Sequence, residues 1–162
     1  MKYIYLLPLV IFCGCLPDNS SSIPSTFQRN KTEHEVRQFF DSYYAAMKAK
    51  GLIGELEFLD TTSDFFWVPP YYNSSITFDS VSAHLHNNAH LFQSVENSWE
   101  HVRIYPLNDS IATYTGKLHS KMIQPNDSAL SATMLESGVV RKRNGHWKLL
   151  CGQTCIINEE DK

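Results

Sequence analysis

The stretch that decides the fold is SGVVRKRNGHWKLLCGQTC, residues 137–155. Its centre, Asn144-Gly145, is a strong turn signal, because both residues tolerate the positive φ that a two-residue hairpin requires. On both sides the side chains suit strands of a half-buried sheet. The stretch therefore predicts an antiparallel hairpin that closes the domain, with strands over 128–143 and 146–157.

Two further strands precede this hairpin, over 99–105 and 110–123. Their connections contain Asn108-Asp109 and Pro125-Asn126-Asp127, which are residues typical of tight turns. The four strands together predict an antiparallel meander. A shorter strand over 65–68 comes earlier in the chain and ends at Pro69-Pro70, because proline cannot donate to a sheet ladder.

The first half of the chain is predicted to be helical. A helix over 32–50 is indicated by a capping box, in which Thr32 and Glu35 satisfy the first backbone amides, and by Gly51 as its terminating residue. Its buried face repeats at helical spacing, through Val36, Phe39, Phe40, Tyr43 and Met47.

Two shorter helices are predicted after it, over 52–59 and over 80–94, the second with Asp79 as its cap. Helices followed by a meander of strands favour an α+β fold in which the helices pack on one face of a curved antiparallel sheet.

The N-terminus, MKYIYLLPLVIFCGC, is typical of an export signal. Lys2 provides the positive charge, and the apolar run that follows is too short to span a bilayer. Gly14-Cys15 resembles a bacterial lipobox. This predicts cleavage after residue 14, lipid attachment at Cys15 and a location at the cell envelope on a bacterial membrane. An ordinary secretory signal, and hence a secreted protein, is the alternative.

These features divide the chain into a signal peptide over 1–14, a lipidated and flexible tether over 15–31, one domain over 32–158 and a tail over 159–162. The tether is rich in Ser, Pro and Asn, which favours flexibility. A formal net charge of -3 argues against a nucleic-acid partner. The chain has no glycine-rich phosphate loop, and no cofactor is predicted.

Cysteine and histidine give no clear metal or redox site. Cys151 and Cys155 would lie roughly 13 Å apart on one extended strand, too far for a bridge unless the strand bends near Gly152, and their pairing stays open. His86 and His90 have a helical spacing that zinc can use, but no third ligand is in reach, so no metal is predicted.

Four segments together resemble the NTF2-like superfamily and, within it, the SnoaL-like or DUF4440-type domains. They are EVRQFFDSYYAAMKAKG (35–51), SDFFWVPP (63–70), YPLNDSIATYTGKL (105–118) and the closing hairpin. The resemblance implies a cone with an apolar pocket between sheet and helices, and pairing of two copies through the outer face of the sheet. The superfamily includes isomerases, cyclases, dehydratases and members that only bind, so the fold alone does not decide the function.

A proton-transfer reaction in such a cone needs a carboxylate and a hydrogen-bond donor. The candidates are Asp64 or Glu136 as base and Tyr114 as donor. Simpler interpretations compete with both carboxylates, since Asp64 suits a strand or turn cap and Glu136 suits a solvated face of its strand. The predicted ligand pocket consists of Trp67, Tyr71, Trp99, Tyr114, Glu136 and Gln153.

Gln153 lies where the closing strand of the superfamily commonly carries His. Glutamine cannot act as a base near neutral pH, which weakens the enzyme interpretation. The first hypothesis is therefore a membrane-tethered domain that binds a small apolar molecule or a peptide without catalysis. The second is a lyase or isomerase of the SnoaL and ketosteroid isomerase type, and the third is a structural dimer module.

Overall fold

Two helices precede the four long strands of the sheet. The computed structural model describes residues 26–157. Helix α1 spans Thr26–Lys50 and continues into a 3-10 segment, Gly51–Phe58. Helix α2 spans Phe78–Asn88 and ends in a 3-10 turn, Ala89–Leu91. Within this part of the chain, neither helix is long and apolar enough to cross a membrane.

Five strands form one curved sheet in the order β1-β5-β4-β3-β2. Strand β1 is parallel to β5, and every other pair is antiparallel. The predicted α+β class is confirmed, with one parallel edge strand added to the antiparallel meander. The strands are β1 (Phe66–Val68), β2 (Ser94–Asn108), β3 (Ile111–Ile123), β4 (Ala129–Arg143) and β5 (His146–Ile156).

The predicted starts of α1 and α2 are both wrong. The chain is already helical at Thr26, so residues 26–31 of the predicted tether belong to α1. Thr32 lies inside the helix and is buried. The cap of α2 is Thr77, whose Oγ1 accepts a hydrogen bond from the Ser80 amide at 3.4 Å, instead of Asp79.

Glu35 connects α1 to the closing hairpin instead of capping the helix. Its carboxylate accepts a hydrogen bond from Trp147 Nε1 at 3.1 Å and forms an ion pair with Lys142. Lys142, by its hydrogen bond, lowers the pKa of Glu35 against the opposing effect of burial. The residue that sequence reasoning assigned to a local cap therefore makes a long-range contact.

The core lies between α1 and the concave face of the sheet. The Phe40 ring packs edge-on against Tyr114, with centroids 4.8 Å apart, and against Trp99 at 5.4 Å. Val36 and Leu149 are almost completely buried in the same cluster. The outer face of the sheet leaves Tyr105 and Leu135 about half exposed. Pairing of two copies through that face stays a prediction.

Strand β5 contains a bulge that changes which of its residues face the cone. In β5, Leu149 pairs with Val140 and Cys151 pairs with Val139, so Leu150 is the extra residue. A bulge reverses the alternation of side chains beyond it. Trp147 and Leu149 face inward before the bulge, and Thr154 faces inward after it. Cys151 and Cys155 are both free.

Candidate functional site

An open cleft of about 1340 Å³ lies between α1 and the concave face of the sheet. Several elements contribute to its wall, through Tyr44 and Ala45 of α1, Asn97 of β2, Ser120 of β3, Ala132 of β4 and Ile156 of β5. Tyr71, which the sequence places near a pocket mouth, also lines the cleft and is 90% exposed.

Glu136 points into the cone and lies deeper than the residues that line the cleft. Its Oε1 accepts a hydrogen bond from Tyr114 Oη at 2.8 Å, and its Oε2 accepts one from Thr154 Oγ1 at 3.3 Å. The residue is 9% exposed. The interpretation of Glu136 as a solvated surface residue is therefore wrong, because two neighbouring strands supply donors to a carboxylate on the inner face.

The surroundings of Glu136 favour its neutral form. Burial raises its pKa to about 7, and repulsion from Glu55 acts in the same direction, while the bonds from Tyr114 and Thr154 act against it. Burial and the adjacent Glu136 also raise the pKa of Tyr114 well above its usual value. Tyr114 therefore remains a neutral donor, and Glu136 exchanges a proton near physiological pH.

Glu55 is a second inward carboxylate, which sequence reasoning missed. Burial raises its pKa to about 7, opposed by a hydrogen bond with Tyr43. Glu55 belongs to the 3-10 segment, where residues three apart lie on the same side. Leu52 and Phe58 share that spacing and pack against the core. The sequence therefore contained a signal, since Glu55 has the three-residue spacing of two core residues. The signal was overlooked because the segment was predicted to be an α-helix.

Asp64 lies away from Glu136 and Tyr114. Its side chain is 64% exposed and forms an ion pair with Arg141 Nη1 at 3.1 Å. It occupies the turn before β1. Asp64 therefore takes no part in the buried cluster.

Gln153 is exposed and faces away from the cone. The bulge at Leu150 explains this, because it exchanges the positions of Gln153 and Thr154 relative to strict alternation. The glutamine that counted against catalysis is thus outside the site, and Thr154 contacts Glu136 in its place.

Three aromatic side chains of the predicted pocket lie against glycines of the sheet. An added Cβ would meet the Trp99 ring at 2.9 Å from Gly116, the Tyr114 ring at 3.0 Å from Gly138 and the Trp67 ring at 2.5 Å from Gly152. The glycines therefore let Trp67, Trp99 and Tyr114 lie flat against the sheet. This contact fixes the Tyr114 hydroxyl beside Glu136.

The histidine pair of the sequence analysis is split between two elements. His86 lies in α2 and contacts the Ser82 carbonyl at 2.8 Å through Nδ1. His90 lies in the 3-10 turn that follows. Within residues 26–157, no group of three or more His, Cys, Asp or Glu side chains is arranged to hold a metal ion.

Comparison of this geometry with known proteins identifies the fold. A candidate scytalone dehydratase from Novosphingobium aromaticivorans superimposes with a TM-score of 0.71 at 11% identity, covering 83% of this chain and 89% of that protein. An NTF2-like superfamily protein from Salmonella enterica gives a TM-score of 0.65 at 11% identity, covering 80% of this chain and 94% of its own. The chain has the NTF2-like fold.

A third structural neighbour of this NTF2-like chain is the hexachlorocyclohexane dehydrochlorinase LinA-type3 from Novosphingobium barchaimii. It gives a TM-score of 0.62 at 8% identity, covering 83% of this chain and 92% of that protein. No protein-family model and no curated protein sequence matches the chain. At such identities the likeness concerns the fold, and the chemistry has to be argued from the residues.

Proposed function

We propose that this NTF2-like chain binds a small, largely apolar molecule in its cleft and removes a proton from it with Glu136. Glu136 is the general base and returns the proton as an acid. Tyr114 is a positioning residue that holds the carboxylate through Oη. The reaction class is elimination or isomerisation.

The observation that carries the proposal is the buried carboxylate of Glu136. With a pKa of about 7 it is partly ionised at neutral pH, so it can accept and return a proton. Its hydrogen-bond partners in residues 26–157 are hydroxyls, without a cation that would hold it ionised. Two hydrogen bonds leave lone pairs free on an ionised carboxylate.

The position of Glu136 beside the cleft supports the same conclusion. Thr154, which contacts Glu136, and Ile156, which lines the cleft, are successive inward residues of β5, about 7 Å apart along the strand. Tyr44 links the two regions, since it lines the cleft and its pKa is raised by burial and by the charge of Glu136.

The structural neighbours favour elimination over other proton transfers. One is named as a candidate dehydratase and another as a dehydrochlorinase. In such a reaction, the base takes a proton from carbon and the leaving group departs with its bonding electrons. Binding without catalysis is the second candidate, favoured by the fact that Glu136 lies behind the wall of the cleft.

Deuterium exchange tests the proposed base without knowledge of the natural substrate. Small ketones such as 1-tetralone are incubated with the chain in D2O, and exchange beside the carbonyl is followed by NMR. We expect acceleration by the wild type and a loss of about 10²- to 10⁴-fold in Glu136→Gln. Glu96→Gln, at the exposed rim of the cleft, is the matched control.

Two results of this experiment would count against the proposal. Equal exchange by Glu136→Gln and the wild type would contradict the assignment of the base. Tight binding of the ketones without accelerated exchange would favour the binding function alone.

The membrane tether is a separate part of the proposal. Cys15 and the signal peptide lie outside the described residues, and their support is the sequence pattern alone. Several acyl chains on Cys15 would anchor the domain durably, since each buried methylene contributes about 0.8 kcal/mol. Mass spectrometry of the mature N-terminus should find acylated Cys15, and an unmodified N-terminus would favour secretion.

A further inference from the structure

Three buried polar atoms lie in one part of the molecule without a hydrogen-bond partner in residues 26–157. They are Tyr44 Oη, Asn97 Oδ1 and Trp99 Nε1. A buried polar group without a partner destabilises a fold, and most such groups in proteins are satisfied. A fourth atom of this kind, Arg29 Nε, belongs to a side chain over the Tyr105 ring and is not part of this group.

The three side chains are neighbours, and two of them line the cleft while Trp99 packs against Tyr44. Asn97 and Trp99 are successive inward residues of β2, paired with Ser120 and Leu118 of β3. The Tyr44 ring lies against the Trp99 ring, with centroids 6.0 Å apart. Tyr44 and Asn97 both line the cleft. Asn97 Nδ2 is directed toward Met47 Sδ at 3.5 Å, which leaves Oδ1 as its unused atom.

The charges behind the cleft disfavour an ionic ligand group at its inner end. The charged or ionisable side chains that line the cleft itself are Lys48, Glu96, His119 and Lys121. Lys48 Nζ pairs with Glu96 Oε1 at 2.9 Å, His119 contacts Glu100, and Lys121 is exposed. Behind the cleft are the acids Glu55 and Glu136, which would repel an anion. A buried charge without a counter-ion is costly, so the inner end of the cleft suits an uncharged group.

We infer that Tyr44, Asn97 and Trp99 form a subsite for a hydroxyl group of the ligand, which makes the substrate class a neutral alcohol with an apolar body. A hydroxyl accepts two hydrogen bonds and donates one. Tyr44 Oη and Trp99 Nε1 donate to it, and Asn97 Oδ1 accepts from it, so every unpartnered atom is satisfied. A ketone would satisfy the two donors only, and a hydrocarbon would satisfy none.

This inference deepens the proposed function, on which it rests for the idea that a small molecule enters the cleft. A hydroxyl held at this end of the cleft is the group that an elimination of water would release. The subsite concerns equilibrium binding, however, and binding is measured without turnover.

Calorimetric titration with matched probes tests the subsite. The probes are 1-tetralol, 1-tetralone, tetralin and tetralin-1-carboxylate, which share one skeleton. We expect the full chain to bind 1-tetralol about tenfold or more tightly than tetralin, with the ketone between them, and to bind the carboxylate no better than tetralin. Equal affinity for tetralol and tetralin, or preference for the carboxylate, would overturn the inference.

Tyr44→Phe removes one hydroxyl from the subsite. We expect it to reduce the preference for tetralol severalfold and to leave tetralin affinity unchanged. Tyr105→Phe is the matched control, since its hydroxyl accepts from Arg29 Nη2 at 3.3 Å on the outer face. Retention of the full preference by Tyr44→Phe would contradict the assignment.

Thermal unfolding of the ligand-free chain provides a second measurement. Removal of an unpartnered buried hydroxyl should raise Tm by about 2–4 °C in Tyr44→Phe. A fall in Tm would mean that the hydroxyl is already satisfied, by water, and would count against the subsite. Hydroxyl preference without deuterium exchange would refute the proposed base alone, and exchange without the preference would refute the subsite alone.

Discussion

Asp60 and Glu136 are both buried carboxylates, and their surroundings drive their pKa values in opposite directions. The Asp60 side chain is completely buried, yet hydrogen bonds from Thr62 and Arg141 outweigh the effect of burial and lower its pKa. Among residues 26–157, Glu136 receives hydrogen bonds from the hydroxyls of Tyr114 and Thr154, and burial raises its pKa to about 7. Burial alone therefore does not distinguish a structural acid from a reactive one.

The number and charge of the donors make the difference. Asp60 Oδ2 accepts from Arg141 Nε at 3.2 Å and from Nη2 at 2.9 Å, and Asp60 Oδ1 accepts from the Thr62 amide at 2.9 Å. These contacts fix the segment before β1 to β4. An acid held in this way stays ionised, whereas the raised pKa of Glu136 suits the proton transfer that we propose for it.

Loss of the Asp60 carboxylate should have the largest effect on stability. Asp60→Asn leaves Arg141 without its buried partner, and removal of one member of such a pair costs about 3 kcal/mol or more. Urea denaturation at pH 7 measures the change in the free energy of unfolding. A change below about 1 kcal/mol would mean that the ion pair of Asp60 does not stabilise the fold more strongly than the hydrogen bonds of Glu136.

Glu136→Gln should alter the pH dependence of stability. Because the pKa of Glu136 is raised in the folded chain, the native state binds more protons than the unfolded state between pH 4.5 and 7. Stability therefore falls as pH rises through that range, by about 3 kcal/mol for this group. Glu136→Gln should flatten the fall between pH 5 and pH 8, and an unchanged slope would contradict the raised pKa.

Asp64→Asn should have the smallest effect. Asp64 pairs with the same Arg141 but is 64% exposed, and exposed ion pairs contribute about 0 to 1 kcal/mol. We expect a loss of less than about 0.5 kcal/mol in urea denaturation and no change in deuterium exchange. A loss of exchange would restore Asp64 as a candidate base.

The sequence predicted much of the fold and part of the site. The turn at Asn144-Gly145 and the apolar face of α1 are local patterns, and both predicted the elements that the structure contains. Tyr114 was predicted to line the pocket, and it faces the concave side because β3 has no bulge against β4 that would interrupt its alternation. Such signals lie within a few residues of one another in the chain.

What the sequence did not predict depends on contacts between distant residues. The bulge at Leu150 reverses alternation after it, so Gln153 was placed in the pocket and Thr154 was overlooked. Glu55 was missed because the 3-10 geometry of its segment is set by packing against α1. Glu136 was interpreted as a solvated residue because of its charge. Its hydrogen-bond donors, Tyr114 and Thr154, belong to two neighbouring strands.

The most direct test of the account is a carboxyl titration of the full chain followed by carbon-13 NMR, with Glu136→Gln for assignment. We expect the Glu136 carboxyl to titrate with a midpoint near 7, well above the usual value of 4.5 for glutamate. In Tyr114→Phe, which removes a bond that lowers the pKa, the midpoint should move higher still. A Glu136 midpoint near 4.5 would contradict the claim that the cone holds a carboxylate ready to exchange a proton.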